Sequence, residues 1–181
     1  MSQSEDSESA PYPDFYGFAE NPFNGTPDLR FLYLSKNHRE CLDSILAGIK
    51  ERKEFISLLG DAGTGKTVLL YRLMKELERD FKPVFISSYY GITSRDLLRR
   101  IDPVLGPPPA VEDKLPDAPH AHKVDWEPGR RVVFIDEAQN LTREVLEDLQ
   151  TVSESNSGGT FPQMIFAGHP EFETEIGSET L

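Results

Sequence analysis

The sequence of 181 residues has a single cysteine, Cys41, and no long apolar run. One thiol cannot form an internal disulfide or supply a zinc cluster, so a disulfide scaffold and a cysteine-based metal site are both excluded. The apolar runs fall far short of the roughly 20 residues that a membrane-spanning helix needs. Residues 1–10 lack a basic segment and an apolar segment, so we expect no secretory signal. These absences predict a cytoplasmic chain without a membrane segment.

Positive charge is also scarce, because 19 lysines and arginines stand against 31 aspartates and glutamates, which gives a net charge of −12. Such an acidic balance argues against broad, sequence-independent adhesion to phosphate backbones or to anionic lipid. Two arginine doublets, at residues 99–100 and 130–131, remain as local basic sites. These doublets could contact DNA or the phosphate of a nucleotide bound to a neighbouring subunit. The alternative is that they are ordinary charges at a helix end and beside a strand.

Composition separates an ordered body from segments that have little to bury. Residues 1–14 are predicted to be a disordered acidic tail, because serine, proline and acidic residues dominate them. Residues 15–172 are predicted to form the body, and residues 173–181 a second acidic tail. Within the body, residues 102–129 hold seven of the 14 prolines and are predicted to form a surface excursion.

From Ser35 onward the apolar pattern alternates between the periods of helices and strands. Amphipathic helices are predicted from Ser35, after Lys66, after a cap at Thr93 or Ser94, and after a cap at Thr142. The four apolar runs predicted to be buried strands are residues 55–59, 84–88, 132–135 and 164–167. This alternation predicts an α/β fold with a mainly parallel sheet covered by helices.

A glycine-rich segment lies between the first predicted strand and the next predicted helix. It reads Gly60-Asp-Ala-Gly-Thr-Gly-Lys-Thr67 and fits the phosphate-loop pattern G-x-x-x-x-G-K-[S/T]. In this setting backbone N–H groups and a helix N-terminus face a phosphate. Lys66 is expected to reach the β- and γ-phosphates of ATP, and Thr67 to bind Mg²⁺. The candidate nucleotide-binding residues here are Gly60, Asp61, Ala62, Gly63, Thr64, Gly65, Lys66, Thr67 and Val68.

An acidic pair ends the third predicted strand, in the string Val132-Val-Phe-Ile-Asp136-Glu137. Ligands of open parallel sheets bind outside the carboxyl ends of the strands. Asp136 is therefore expected to hold Mg²⁺, and Glu137 to polarise the attacking water. An apolar run followed by two acids is common by itself. Combined with the phosphate loop, it predicts ATP hydrolysis, with Glu137 and Lys66 as catalytic residues.

Several strings together resemble the AAA+ ATPases of the ExeA/GspA type, over residues 15–172: Asn21-Pro-Phe, Thr26-Pro-Asp, Phe31-Leu-Tyr-Leu, Gly60–Thr67 and Asp136-Glu-Ala-Gln-Asn-Leu141. Those ATPases are associated with type II secretion, and the related MuB and TniB proteins serve DNA transposition. The resemblance implies a P-loop NTPase fold, a three-layer αβα sandwich with strand order 5-1-4-3-2. It also implies ATP as substrate, homo-oligomers, and a secretion or transposition partner; DNA stays open as a partner.

The resemblance implies further site positions. The family's fourth strand ends in a Gly-Gln-Pro-Glu string that senses the γ-phosphate, and here the string is Gly168-His169-Pro170-Glu171. His169 is thus expected to donate to a phosphate oxygen or to water, with a loop histidine of no ligand role as the alternative. Pro22 and Phe23 are expected near the adenine, with core packing as the alternative.

The family also has a fifth strand and a helical lid, whereas the residues after Pro170 show no apolar strand pattern. We expect this chain to lack both elements and the arginines that they bring, because no arginine follows Arg143. The expected function is ATP hydrolysis that gates a partner interaction and is slow for the chain alone. The alternative is a nucleotide-gated recruitment protein, for a protein or DNA partner, with little hydrolysis.

Overall fold

The computed structural model describes residues 16–17, 29–105, 130–155 and 161–176. In these ranges from Leu34 onward, four strands alternate with five helices. The strands are β1 (Phe55–Leu59), β2 (Lys82–Ser87), β3 (Arg131–Asp136) and β4 (Gln163–Gly168). The helices are α1 (Lys36–Lys50), α2 (Lys66–Leu77), α3 (Ser94–Leu105), α4 (Arg143–Ser155) and α5 (Phe172–Ile176). None of the described helices combines the length and the apolar character that crossing a bilayer requires.

The four strands form one parallel sheet with the order β1-β4-β3-β2. Phe55 pairs with Met164, Val132 with Gln163, and Lys82 with Arg131 along the three ladders. Every residue of the two central strands, β3 and β4, is buried. Continuous apolar runs of this kind are typical of parallel strands that are covered on both faces. The order agrees with the 1-4-3-2 part of the arrangement that the resemblance implies.

Helices cover both faces of the sheet and give it three layers. On one face, α1 and α2 pack against Val132 and Phe134 through Leu42, Ile45, Leu70 and Leu73. On the other face, α3, α4 and α5 pack against Val133 and Ile135 through Leu97, Ile101, Val145, Leu149 and Phe172. Successive residues of β3 thus point to opposite layers, as the pleat of a strand requires. The α/β class and the P-loop NTPase sandwich expected from the sequence are confirmed.

Three boundaries differ from the predictions by more than one residue, whereas both ends of β3 and β4 and the end of β2 differ by one residue. Strand β2 begins at Lys82 rather than at residue 84, because it is the last strand in the described sheet order and a terminal strand tolerates Pro83, which lacks an N–H. Helix α3 continues through residues 102–105, which the sequence predicts to be part of the proline-rich excursion. Helix α5 includes residues 173–176 of the predicted second acidic tail, because the fully buried Phe172 anchors its start.

The chain divides into two units, and the described residues before Leu34 belong to the first. In that unit a 3₁₀ turn forms at Leu29–Phe31, where the Arg30 guanidinium lies 5.4 Å from the centroid of the Phe31 ring. The predicted tail at residues 1–14, the adenine contacts Pro22 and Phe23, and the remaining excursion at residues 106–129 all lie outside the described residues.

Candidate nucleotide site

The glycine-rich loop connects the end of β1 directly to the start of α2. Its first residue is fastened to the neighbouring strand, since the Gly60 N–H donates to the Gly168 carbonyl at 3.2 Å. Gly63 and Gly65 have φ angles of 77° and 86°, in the left-handed region where glycine has no Cβ to clash. Gly65 is the N-cap of α2, so the helix begins at Lys66 with its unpaired N–H groups facing the loop. This is the strand–loop–helix geometry of an anion site.

The Lys66 ammonium group lies inside this loop. Its Nζ donates to the carbonyl oxygens of Gly60 at 2.7 Å and of Asp61 at 2.9 Å. The Thr64 hydroxyl donates to the same Asp61 carbonyl at 2.8 Å. The ammonium is therefore held within the loop by neutral oxygens, which an anionic ligand can replace.

Thr67, at the end of the glycine-rich loop, and Asp136, at the end of β3, are in contact. The Thr67 hydroxyl donates to Asp136 Oδ2 at 2.6 Å, and Asp136 Oδ1 accepts from the Glu137 N–H at 3.0 Å. Asp136 is the last residue of β3 and is only 5% exposed. A hydroxyl and a carboxylate at one point are the hard oxygen donors that a magnesium ion prefers. These two residues are the ones that would hold Mg²⁺.

Glu137 is exposed and follows β3 with a φ of 57°, in the left-handed region that is uncommon for a residue with a side chain. Its carbonyl accepts from the Ser88 hydroxyl at 2.6 Å, and the Ser88 carbonyl accepts from the Asn140 side chain at 3.2 Å. Its carboxylate accepts from Gln139 Nε2 at 2.5 Å. Ser88, which follows β2, and the 3₁₀ turn after Glu137 (Ala138–Asn140) thus hold this unusual conformation in place.

His169 follows β4 at the same edge of the sheet and is half-buried. Its backbone N–H donates to Gln139 Oε1 at 3.2 Å. The structure therefore brings the predicted sensor position into one hydrogen-bonded group with Glu137, through Gln139.

Comparison with known proteins decides the family. Residues 49–175, well over half of the chain, match the family described as the AAA domain. The chain belongs to the AAA family. It is also 31% identical, over 176 residues, to the general secretion pathway protein A of Aeromonas hydrophila, which confirms the expected resemblance to the ExeA/GspA type. That match covers 94% of this chain and 32% of the relative, so the chain spans about a third of the relative's length.

Sequence reasoning missed His38 as a neighbour of the AAA domain's phosphate loop. His38 Nε2 lies 3.0 Å from the Thr64 carbonyl, and the His38 N–H donates to the N-cap hydroxyl of Ser35 at 3.2 Å. A neutral imidazole that donates from Nε2 leaves Nδ1 as an acceptor. Among the described residues, this Nδ1 is buried with no hydrogen-bond partner. The sequence pattern of α1 does not indicate that His38 contacts Thr64, which lies 26 positions away in the phosphate loop.

Ser88 and Gln139 are also absent from the residues that the sequence singled out. Ser88 directly follows β2, so the rule that ligands bind outside the carboxyl ends of parallel strands would have placed it at this edge. Gln139 lies within the string that carried the family resemblance, but no spacing rule indicates what its amide contacts.

Proposed function

We propose that this AAA domain binds Mg-ATP at the Gly60–Thr67 loop and hydrolyses it to ADP and phosphate. The contact of 2.6 Å between Thr67 Oγ1 and Asp136 Oδ2 supports this proposal most directly. It joins two oxygen donors from segments 69 residues apart, beside a loop shaped for phosphate. An incidental glycine-rich turn has no need of a buried carboxylate at that point.

The proposed roles follow from the atoms that each residue presents. Lys66 would exchange the Gly60 and Asp61 carbonyls for phosphate oxygens, and Thr67 and Asp136 would hold Mg²⁺. When bound, Mg²⁺ neutralises charge on the phosphates. Glu137 would orient the attacking water through its carboxylate. His169 would contact the γ-phosphate from the end of β4, and Pro22 and Phe23 would contact the adenine.

The partner is proposed from the relative. Because that relative is named a general secretion pathway protein, we propose that the nucleotide state gates contact with a protein of a secretion system, on the cytoplasmic side of the membrane. Homo-oligomers would be the assembled form. A transposition partner, whether protein or DNA, is the competing choice.

A second candidate function is nucleotide-gated recruitment with little hydrolysis. One observation favours it: an oxygen of the Glu137 carboxylate is already engaged by the Gln139 amide, at 2.5 Å. This alternative requires that the amide compete with the attacking water for the carboxylate, and Gln139→Leu would then hydrolyse ATP faster than the parent.

Single-turnover release of phosphate from γ-labelled ATP tests the proposal. The parent chain should release phosphate. Glu137→Gln should still bind ATP but should release phosphate about 10²-fold more slowly, because the carboxylate that orients water is gone. Glu78→Gln, at the exposed far end of α2, is the matched control and should behave like the parent. Binding without release in the parent would favour the recruitment alternative, and absence of ATP binding would contradict both.

A further inference from the structure

Gln139 connects the Glu137 carboxylate to the end of β4. Its Nε2 donates to Glu137 Oε2 at 2.5 Å, and its Oε1 accepts from the His169 N–H at 3.2 Å. The amide orientation follows from chemistry, because a carboxylate only accepts and a backbone N–H only donates. Glutamine supplies both functions in one group, so the two bonds form at the same time.

The backbone on both sides of this bridge is fixed. On the Glu137 side, the Asn140 N–H donates to the Glu137 carbonyl at 2.9 Å, and the Ser88 hydroxyl donates to the same carbonyl at 2.6 Å. On the β4 side, the backbone of Gly168 packs closely against Gln139. A Cβ added at Gly168 would lie 3.2 Å from Gln139 Oε1 and 3.3 Å from the backbone nitrogen of Gln139. The missing side chain at Gly168 gives the amide its place against the strand.

We propose that Gln139 is a positioning residue that holds the Glu137 carboxylate in the orientation for hydrolysis and ties it to the β4 exit. A displacement at His169 would then reach Glu137 through one amide group. The effect on turnover rests on the proposed ATP hydrolysis, whereas the bridge itself belongs to the chain without nucleotide.

Two substitutions separate the two halves of the bridge. Gln139→Leu removes both hydrogen bonds at similar volume. Gln139→Glu keeps an acceptor for the His169 N–H but loses the donor and sets a second carboxylate against Glu137. Gln150→Leu is the matched control, because Gln150 Nε2 makes the same kind of bond to Glu154, at 3.1 Å, on the exposed face of α4.

In steady-state ATP hydrolysis, Gln139→Leu and Gln139→Glu should each lower kcat about tenfold and leave KM within about twofold. The control should match the parent. A positioning role affects kcat alone, because the phosphate loop that binds ATP is untouched. An unchanged kcat, a rise in KM alone, or faster hydrolysis in Gln139→Leu would overturn the proposal.

A second measurement does not depend on hydrolysis. In NMR spectra of the chain without nucleotide, the His169 amide proton should shift upfield in Gln139→Leu, because it loses its acceptor, and should stay near its parent position in Gln139→Glu. An unshifted signal in Gln139→Leu would overturn the bridge. If the parent binds ATP but does not hydrolyse it, the proposed function and the positioning role both fail, and the His169 signal still decides whether Gln139 makes the bridge.

Discussion

Asp136 is a residue whose burial is explained by its partners. The side chain is 5% exposed, yet its two oxygens accept from the Thr67 hydroxyl and from the Glu137 N–H. Hydrogen bonds to an ionised acceptor are stronger than neutral ones and offset the cost of removing a carboxylate from water. The carboxylate is therefore held in one orientation before any ligand arrives, which is what a metal ligand requires.

This arrangement predicts that Asp136→Asn weakens only the magnesium-dependent part of ATP binding. The amide keeps the shape and an acceptor oxygen but loses the charge that attracts a divalent cation. Affinity measured by calorimetry with Mg²⁺ should fall about tenfold, and affinity measured with a chelator should stay as in the parent. Asp80→Asn, at an exposed position after α2, controls for the change in net charge. Equal losses with and without Mg²⁺ would argue against a metal role.

Among the elements, α3 has a start that is defined by reciprocal hydrogen bonds. The Asp96 N–H donates to the Thr93 hydroxyl oxygen at 3.2 Å, and the Thr93 N–H donates to Asp96 Oδ2 at 3.2 Å. The Thr93 hydroxyl also donates to Asp96 Oδ2, at 2.7 Å. The hydroxyl bond and then the backbone bond lower the pKa of Asp96, with a smaller contribution from Arg99 and Arg100, against some desolvation. This is a capping box with aspartate in the acidic position.

The lowered pKa gives α3 a predictable response to acid. A carboxylate whose pKa is lower in the folded state contributes stability above its ordinary pKa and loses that contribution as the pH falls through the folded value. Asp96→Asn should therefore lower the urea midpoint at neutral pH and match the parent once both are acidified below that range. Asp43→Asn, exposed on α1, is the control. A difference between Asp96→Asn and the parent that stays constant over the whole pH range would contradict this assignment.

The elements were predictable where the apolar period alone decides them. Residues 55–59 form β1 as predicted, and Thr142 caps α4 as predicted, with the Val145 N–H 3.4 Å from its hydroxyl. The apolar periodicity did not predict the boundaries that depend on tertiary contacts. Lys82 and Pro83 join β2 because the strand is terminal in the described sheet, and α5 forms because Phe172 is buried, although acidic residues surround it.

At the scale of the whole molecule, the parallel topology places the candidate site residues at one edge of the sheet. The phosphate loop follows β1, Ser88 follows β2, Glu137 follows β3 and His169 follows β4. Because all the described strands are parallel, these residues lie at one edge of the sheet. The sequence could therefore predict that Lys66, Thr67, Asp136 and Glu137 lie at the same edge of the sheet.

The contacts that fix the details were not predictable. His38 with Thr64, Ser88 with Glu137, and Gln139 with His169 are pairs 26, 49 and 30 positions apart. No motif of this chain contains both members of any such pair, and the partners are set by packing in three dimensions. The sequence thus indicated which segments come together at this edge of the sheet, and the structure shows the side-chain contacts between them.

The central claim, that Mg-ATP binds at the Gly60–Thr67 loop, is tested most directly by calorimetric titration of ATP with Mg²⁺ into the parent chain and into Lys66→Ala. Lys66 presents its ammonium within the loop, and a charge-assisted contact contributes about 1.5–3 kcal/mol, so affinity should fall roughly 10- to 150-fold. Lys75→Ala, exposed in the last turn of the same helix, should bind like the parent. Equal affinity in Lys66→Ala and the parent would contradict the claim.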